Sequence, residues 1–97
     1  MRAEFERSMN RAALYDENNE LVGESTFSAS ETTWIIDHTY VNDALRGNGY
    51  ASKLVEKIIE NAREANVKIV PLCPYAKKEF AKHPEYSDVL FSTGVRL

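Results

Sequence analysis

The sequence predicts a mixed α/β fold, in which an antiparallel β-meander is followed by a β-α-β crossover and a C-terminal helix. Short alternating or β-branched runs fill the chain up to Val41. From Gly49 onward apolar residues recur with the period of a helix, and residues 67–72 are again short, apolar and β-branched. A strand, a helix and a strand in this order favour a right-handed crossover to a parallel strand.

Three strands are predicted in the first half of the chain. Residues 1–9 are charged and mixed, and are interpreted as a frayed end or as part of the first strand. The apolar run at 11–15 and the alternating run at 21–27 flank an Asp- and Asn-rich turn at 16–20, which predicts a hairpin.

Residues 33–41 are predicted as the third strand, with apolar side chains on both of its faces. This pattern is typical of a central strand that is covered on both sides. Strict alternation places one set of side chains on the first face, namely Trp34, Ile36, His38 and Tyr40. The second face takes Ile35, Asp37, Thr39 and Val41.

The second half begins with an amphipathic helix, whose apolar stripe consists of Tyr50, Ala51, Leu54, Val55, Ile58, Ile59 and Ala62. Asn66 suits a left-handed cap, and residues 67–72 form the fourth strand. Pro74 suits the first turn of a second helix, because its missing N–H would be unpaired there. Pro84 ends that helix and begins a further turn to residue 90, and residues 91–97 are predicted as a loose tail.

Composition excludes several functional classes. The 97 residues carry a net charge of −3, whereas a nucleic-acid-binding domain normally shows a clustered basic excess. The single cysteine excludes an internal disulfide and gives no metal-ligand spacing. The charge therefore argues against a nucleic acid as a partner. No apolar run reaches membrane-spanning length or resembles a signal peptide, so no membrane partner is expected and the cytoplasm is the expected location.

The stretch from Val41 to Ala51 organises the chain, because it joins a β-branched strand to the amphipathic helix through Gly47 and Gly49. Glycines at a helix start leave backbone N–H groups uncovered next to the positive end of the helix dipole, which suits a phosphate. A tight turn that merely needs glycine is the alternative. A dinucleotide fingerprint would need a third glycine where Ser52 stands, and a Walker loop would need a G-K-[ST] ending that the sequence lacks.

Residues 46–51 fit the pattern [QR]-x-x-G-x-[GA] at Arg46, Gly49 and Ala51, and on this motif the chain resembles the GCN5-related N-acetyltransferases. Residues 36–41 and 71–75 extend the resemblance to a minimal branch of that superfamily, over residues 10–90. It implies one N-acetyltransferase domain over residues 1–97. It also implies acetyl-CoA as the cofactor, bound through its pyrophosphate to the loop amides, and a small-molecule or peptide amine as the acceptor. A monomer is expected.

The resemblance also implies the residues that bind acetyl-CoA or coenzyme A. They are Thr39, Tyr40, Val41, Arg46, Gly47, Asn48, Gly49, Tyr50, Ala51, Cys73 and Tyr75. Pro71 lies at the end of the fourth strand, where a missing N–H either marks an edge strand or allows two strands to splay. The superfamily threads the pantetheine arm of the cofactor through such a gap.

Cys73 and His38 are the candidate catalytic residues. Cys73 precedes Pro74 at a helix start, where the dipole favours a thiolate; it could accept the acetyl group, protonate the leaving thiolate, or only pack. His38 could take a proton from an ammonium acceptor, or be a hydrogen-bonded residue of the core. Glu24 is a weaker candidate for the base. In the superfamily a tyrosine acts as the acid, and its position corresponds here to Phe80, which cannot donate a proton. Tyr75 and Cys73 are the nearest substitutes.

Three functional classes follow from these residues. The first is direct transfer of an acetyl group from acetyl-CoA to an amine. The second is a CoA-binding regulatory module with little catalysis, which the missing tyrosine favours. The third is a protein-interaction domain without affinity for CoA.

The helical insertion that walls the acceptor site in larger relatives is replaced here by the turn at 16–20, which predicts an open acceptor side.

Overall fold

A five-stranded sheet forms the body of the protein in a computed structural model that describes residues 1–91. The strands lie side by side in sequence order: β1 (Arg2–Glu6), β2 (Arg11–Tyr15), β3 (Leu21–Ala29), β4 (Thr33–Val41) and β5 (Lys68–Pro71). Neighbours from β1 to β4 are antiparallel, whereas β4 and β5 are parallel. The predicted mixed sheet, its meander and its crossover are therefore confirmed.

Helix α1 (Tyr50–Ala65) provides the crossover, and helix α2 (Pro74–Lys82) follows β5. Short 3₁₀ helices lie at Arg7–Met9, Asp43–Leu45 and Pro84–Val89. The predicted apolar stripe of α1 is found, because Leu54, Val55, Ile58, Ile59 and Ala62 are all buried. Asn66 ends α1 in the left-handed conformation, with φ at 58°. None of the helices within residues 1–91 is long and apolar enough to cross a bilayer.

The N-terminal segment forms a strand of its own, so the sheet has one strand more than the four that the sequence predicts. β1 pairs with β2 along its whole length. Phe5 lies 5.8 Å from Phe27 and 5.9 Å from Trp34 between ring centroids, in a stack of three aromatic rings. Packing of Phe5 in this stack stabilises β1. The charged composition of the segment gave no clear strand pattern in the sequence.

A β-bulge at Asp37 reverses the alternation of β4. Thr26 pairs with His38 whereas the adjacent Phe27 pairs with Ile36, so Asp37 is an extra residue in β4. An extra residue moves every following side chain to the opposite face. The predicted common face of Trp34, Ile36, His38 and Tyr40 is therefore wrong.

The side chains of β4 that face the helices are Trp34, Ile36, Thr39 and Val41. Ile35, His38 and Tyr40 are exposed on the other face of the sheet. The prediction that β4 is covered on both sides is therefore also wrong. The apolar and aromatic residues that suggested a second covered face include Ile35 and Tyr40, which are 36% and 49% exposed.

The C-terminal part of the described chain returns to the edge of β5. The N–H of Phe91 donates to the carbonyl of Ile69 at 2.8 Å, and Ile69 forms a parallel bridge with Leu90. The tail predicted at 91–97 lies outside the described residues except for Phe91.

Candidate functional site

The parallel strands β4 and β5 separate directly after Pro71. Their last paired residues are Ile36 and Pro71. The N–H groups of Leu72 and Cys73 then both donate to the carbonyl of Ile36, at 3.0 Å each, and the chain turns into α2. β4 continues to Val41 without β5 beside it, so a gap opens along the second half of β4.

Two backbone N–H groups of β4 point into this gap. The N–H of Asn42 donates to Val22 of β3 at 2.8 Å, which fixes the edge that residue 42 faces. Because successive residues of a strand direct their N–H groups to opposite edges, Thr39 and Val41 face away from β3. β5 no longer provides acceptors there, so these N–H groups remain available to a bound carbonyl oxygen.

The loop between β4 and α1 depends on two glycines in the left-handed region. Gly47 has φ at 85°, and Gly49, the residue before α1, has φ at 77°. The side chain of Asn42 accepts the N–H of Ala44 at 3.0 Å, and the Asn48 amide donates to the carbonyl of Leu45 at 2.9 Å. Asn48 therefore holds the loop together from within.

The start of α1 presents a row of free N–H groups. In the part of the chain that the structure describes, the amides of residues 47–52 donate to no acceptor, and the first helical bond runs from Lys53 to Gly49 at 3.2 Å. A Cβ added at Gly47 or Gly49 would meet no atom within 4 Å, so the space above both glycines is open. Free N–H groups at the N-terminus of a 16-residue helix form an anion site.

A cleft of about 510 Å³ joins the gap to this loop. Its lining residues are Thr39, Tyr40, Val41, Leu45, Arg46, Gly47, Gly49, Tyr50, Ala51 and Tyr75. All the residues predicted to bind the cofactor are among them except Asn48 and Cys73. Leu45 was not predicted, although an apolar residue within a polar loop is a signal that could have identified it.

Arg46 lies at the solvent edge of the cleft. Its Nε is 3.0 Å from Asp43 Oδ1, and the two side chains are 74% and 83% exposed. An exposed pair of this kind holds the guanidinium only weakly, which leaves it free to move toward an anion in the loop.

Cys73 is buried beside the cleft and caps α2. Its Sγ accepts the N–H of Ala76 at 3.4 Å and lies 3.5 Å from Thr39 Oγ1. The side chain of Thr39 also lies 3.0 Å from the hydroxyl of the fully buried Ser25. The thiol therefore contacts Thr39, which lines the cleft, and the predicted catalytic role of Cys73 remains a prediction.

His38 is exposed on the face of the sheet opposite α1, with its ring stacked beside that of Tyr40 at 6.5 Å between centroids. It does not line the cleft. Glu24, the weaker candidate for a base, is paired with Arg11 at 3.1 Å. Phe80 packs edge-on against Tyr86 at 5.7 Å, without a polar atom to offer.

A buried carboxylate behind the cleft was not predicted. Glu79 is 4% exposed, accepts the hydroxyl of Tyr75 at 2.8 Å and that of Ser52 at 3.2 Å, and lies 3.2 Å from His83 Nε2. Burial and this hydrogen bond raise the pKa of Tyr75 well above its usual value of 10. Tyr75, Glu79 and His83 follow one another at intervals of four residues, so their common position on one side of a helix was visible in the sequence.

The chain is similar to known proteins in sequence and in structure. A sequence profile described as GCN5-related N-acetyl-transferase matches residues 11–89. No match was found among curated proteins. The NMR solution structure of a GCN5-like protein from Staphylococcus aureus is 34% identical, with a TM-score of 0.71, and the alignment covers 94% of this chain and 88% of that one.

Two more distant crystal structures share the fold. Rv2747 from Mycobacterium tuberculosis, solved in complex with CoA, is 16% identical with a TM-score of 0.60, over 77% of this chain and 47% of that one. A ribosomal-protein-alanine N-acetyltransferase from Brucella melitensis is 21% identical with a TM-score of 0.62, over 90% of this chain and 64% of that one. The chain therefore spans less than two thirds of either protein.

Proposed function

The chain belongs to the GCN5-related N-acetyltransferase family, and from this membership and the geometry of the cleft we propose that it transfers the acetyl group of acetyl-CoA to an amine. Residues 1–97 are taken as one catalytic domain that acts as a monomer. The acceptor is a small molecule or a peptide with an exposed amine.

The observation that carries this proposal is the glycine loop at the start of α1. The pyrophosphate of CoA needs several N–H donors and a positive potential, and the amides of residues 47–52 with the dipole of α1 supply both. Left-handed Gly47 and Gly49 leave open space where phosphate oxygens can approach the backbone. The size of the cleft, about 510 Å³, is typical of small-molecule sites.

The gap between β4 and β5 is proposed to receive the pantetheine arm. The thioester supplies an activated acetyl group, and its carbonyl oxygen gains negative charge when an amine attacks. The N–H groups of Thr39 and Val41 face this gap and are the proposed donors to that oxygen. Holding the two reactants together supplies most of the rate enhancement, because an oriented attack avoids the entropic cost of an encounter in solution.

An ammonium ion must lose a proton before it can attack. His38 remains our proposed proton acceptor, and because it lies outside the lining of the cleft, the proton would reach it through water. Tyr75 is a poor acid for the leaving thiolate, since its hydroxyl donates to Glu79 and its pKa is raised. We therefore expect slow turnover. Because the acceptor side is predicted to be open, we also expect different exposed amines to be used at comparable rates.

A CoA-binding regulatory module is the second candidate function. Two observations favour it: Phe80 carries no proton where the superfamily has its tyrosine acid, and the hydroxyl of Tyr75 is engaged by Glu79. Binding without turnover across a panel of amines would identify this alternative. Turnover that saturates with acetyl-CoA would identify the enzyme.

The central test is the substitution Gly49→Glu, with CoA binding followed by calorimetry. We expect it to abolish binding, because it places bulk and negative charge where the phosphates lie. Gly49→Ala is the matched control, since it adds the strain of a left-handed alanine without the charge and should weaken binding less. Arg46→Ala should weaken binding only moderately, because the guanidinium lies at the solvent edge. A folded Gly49→Glu variant that binds CoA like the parent would refute the proposal.

A further inference from the structure

The carboxylate of Glu79 is buried between α1 and α2 and is fully engaged. Tyr75 donates to Oε1 at 2.8 Å, whereas Ser52 donates to Oε2 at 3.2 Å and His83 Nε2 lies 3.2 Å from the same oxygen. No buried side-chain nitrogen or oxygen in residues 1–91 lacks a partner. A buried carboxylate is costly, and an apolar residue of similar volume often stabilises a fold as well or better. Packing alone therefore does not explain this glutamate.

The partners of Glu79 show where its influence falls. Ser52 lies in the first turn of α1, directly after the glycine loop, and Tyr75 lines the cleft from the first turn of α2. Glu79 does not line the cleft. One buried side chain thus connects the helix that carries the loop to the opposite wall of the cleft, and it fixes the ring of Tyr75 through the phenolic oxygen.

His83 closes the network on the solvent side. Its Nε2 faces Glu79 and its Nδ1 lies 2.9 Å from Glu85 Oε2. Since carboxylates only accept hydrogen bonds and a neutral imidazole has one N–H, only the protonated ring donates to both. The ring also lies against Tyr86 at 4.9 Å between centroids, which places it on the packed side of α2.

We propose that Glu79 is a positioning residue, which sets the width of the cofactor cleft by holding Tyr75 and the first turn of α1 in a fixed relation. The proposal rests on the proposed function for its ligand, CoA. The proposal also predicts that, without any ligand, breaking the hydrogen bonds of Glu79 loosens the start of α1.

The experiment uses a graded series of variants and the dissociation constant of CoA. Glu79→Leu should raise it about tenfold, because both hydroxyls lose their acceptor. Tyr75→Phe keeps the ring but removes its anchor, and should produce a similar loss. Glu79→Gln keeps one acceptor oxygen and should recover part of the affinity. Glu64→Leu, which replaces an exposed glutamate of α1, is the matched control and should bind like the parent.

Additivity separates positioning from a general loss of stability. If Glu79 acts through Tyr75, the double variant should bind about as weakly as Glu79→Leu alone, because both changes break the same contact. A role confined to folding would lower the urea midpoint and leave the dissociation constant unchanged in the folded range. That result, or fully additive losses, would overturn the proposal. If Glu79→Leu does not fold, Tyr75→Phe and Glu79→Gln decide the question.

Amide hydrogen exchange without ligand completes the test. Glu79→Gln should speed exchange of the first hydrogen-bonded amides of α1, beginning with Lys53, about tenfold, whereas Glu64→Gln should not change it. If the parent fails to bind CoA, the proposed function fails, but this comparison still decides the role of Glu79. Unchanged exchange at the start of α1 would refute it.

Discussion

Cys73 shows how one side chain can serve the fold and stand close to the chemistry. The residue is 7% exposed, and its thiol caps α2 and contacts Thr39, which lines the cleft. We expect Cys73→Ala to lower the free energy of unfolding by about 1 kcal/mol, the usual cost of losing an N-cap acceptor. Cys73→Ser should retain stability, because a hydroxyl accepts the same N–H. Urea unfolding of both variants measures the difference.

Turnover of the same two variants tests whether the thiol takes part in the reaction. If the thiol only caps α2 and packs, Cys73→Ser should keep the turnover rate of the parent. Loss of turnover in Cys73→Ser, with CoA affinity intact, would instead assign the sulfur a direct role as an acetyl acceptor or acid.

Glu6 links stability to pH on the exposed face of the sheet. Hydrogen bonds from Tyr15 and then from Arg11 lower the pKa of Glu6 below its usual 4.5. A carboxyl group whose pKa is lower in the folded state stabilises the protein above the unfolded pKa, and the contribution is lost as pH falls through the folded pKa. Glu6→Gln should therefore be less stable than the parent at about pH 7, and the difference should shrink as the pH falls below 4.5 through the folded pKa.

Urea unfolding across this pH range checks the prediction for Glu6. Glu17→Gln, in the exposed turn after β2, is the matched control and should follow the parent at every pH. A difference between Glu6→Gln and the parent that persists unchanged in acid would show that the effect is steric.

At the scale of elements, the predictable features are those that a local pattern determines. The stripe from Leu54 to Ala62, the cap at Asn66 and the proline at the start of α2 each follow from spacing or backbone geometry alone. β1 was not predicted as a strand separate from β2, because its partner rings belong to β3 and β4. The bulge at Asp37 was missed because nothing in β4 itself marks an extra residue; the register with β3 determines it.

The pairing of β3 with β4 gives a prediction about the wall of the cleft. A Cβ on Gly23 would lie 2.9 Å from the backbone oxygen of Tyr40 and 3.2 Å from Val41 Cγ2. Gly23→Ala must therefore push β4 outward, at a cost of about 1–3 kcal/mol in the free energy of unfolding. Because Tyr40 and Val41 line the cleft, CoA affinity should fall as well. Parent-like values in both urea unfolding and calorimetry would show that the two strands separate freely here.

At the scale of the whole molecule, a sheet with one face exposed carries a cleft at the place where two of its strands part. The loop residues could be predicted from the sequence because glycines and a helix start form a continuous stretch. The spacing along α2 relates Glu79 to Tyr75 and His83, but its burial was not predicted, because packing of α1 against α2 brings Ser52 to the carboxyl group. The side on which His38 lies depended on the bulge in β4 in the same way.

The cleft spans the start of α1, the loop and β4, so a ligand bound there should stabilise the whole domain. A ligand that binds only the folded state, at one hundred times its dissociation constant, adds about 2.7 kcal/mol to the free energy of unfolding. For a domain of this size that gain corresponds to a rise in melting temperature of about 10 °C or more. We expect CoA to produce this rise in the parent, as measured by calorimetric scans at increasing CoA concentration. Gly49→Glu, scanned in parallel, should melt at the same temperature with and without CoA. If the melting temperature of the parent stays constant at every CoA concentration, the folded protein does not bind CoA. The cleft would then not be a site for this cofactor.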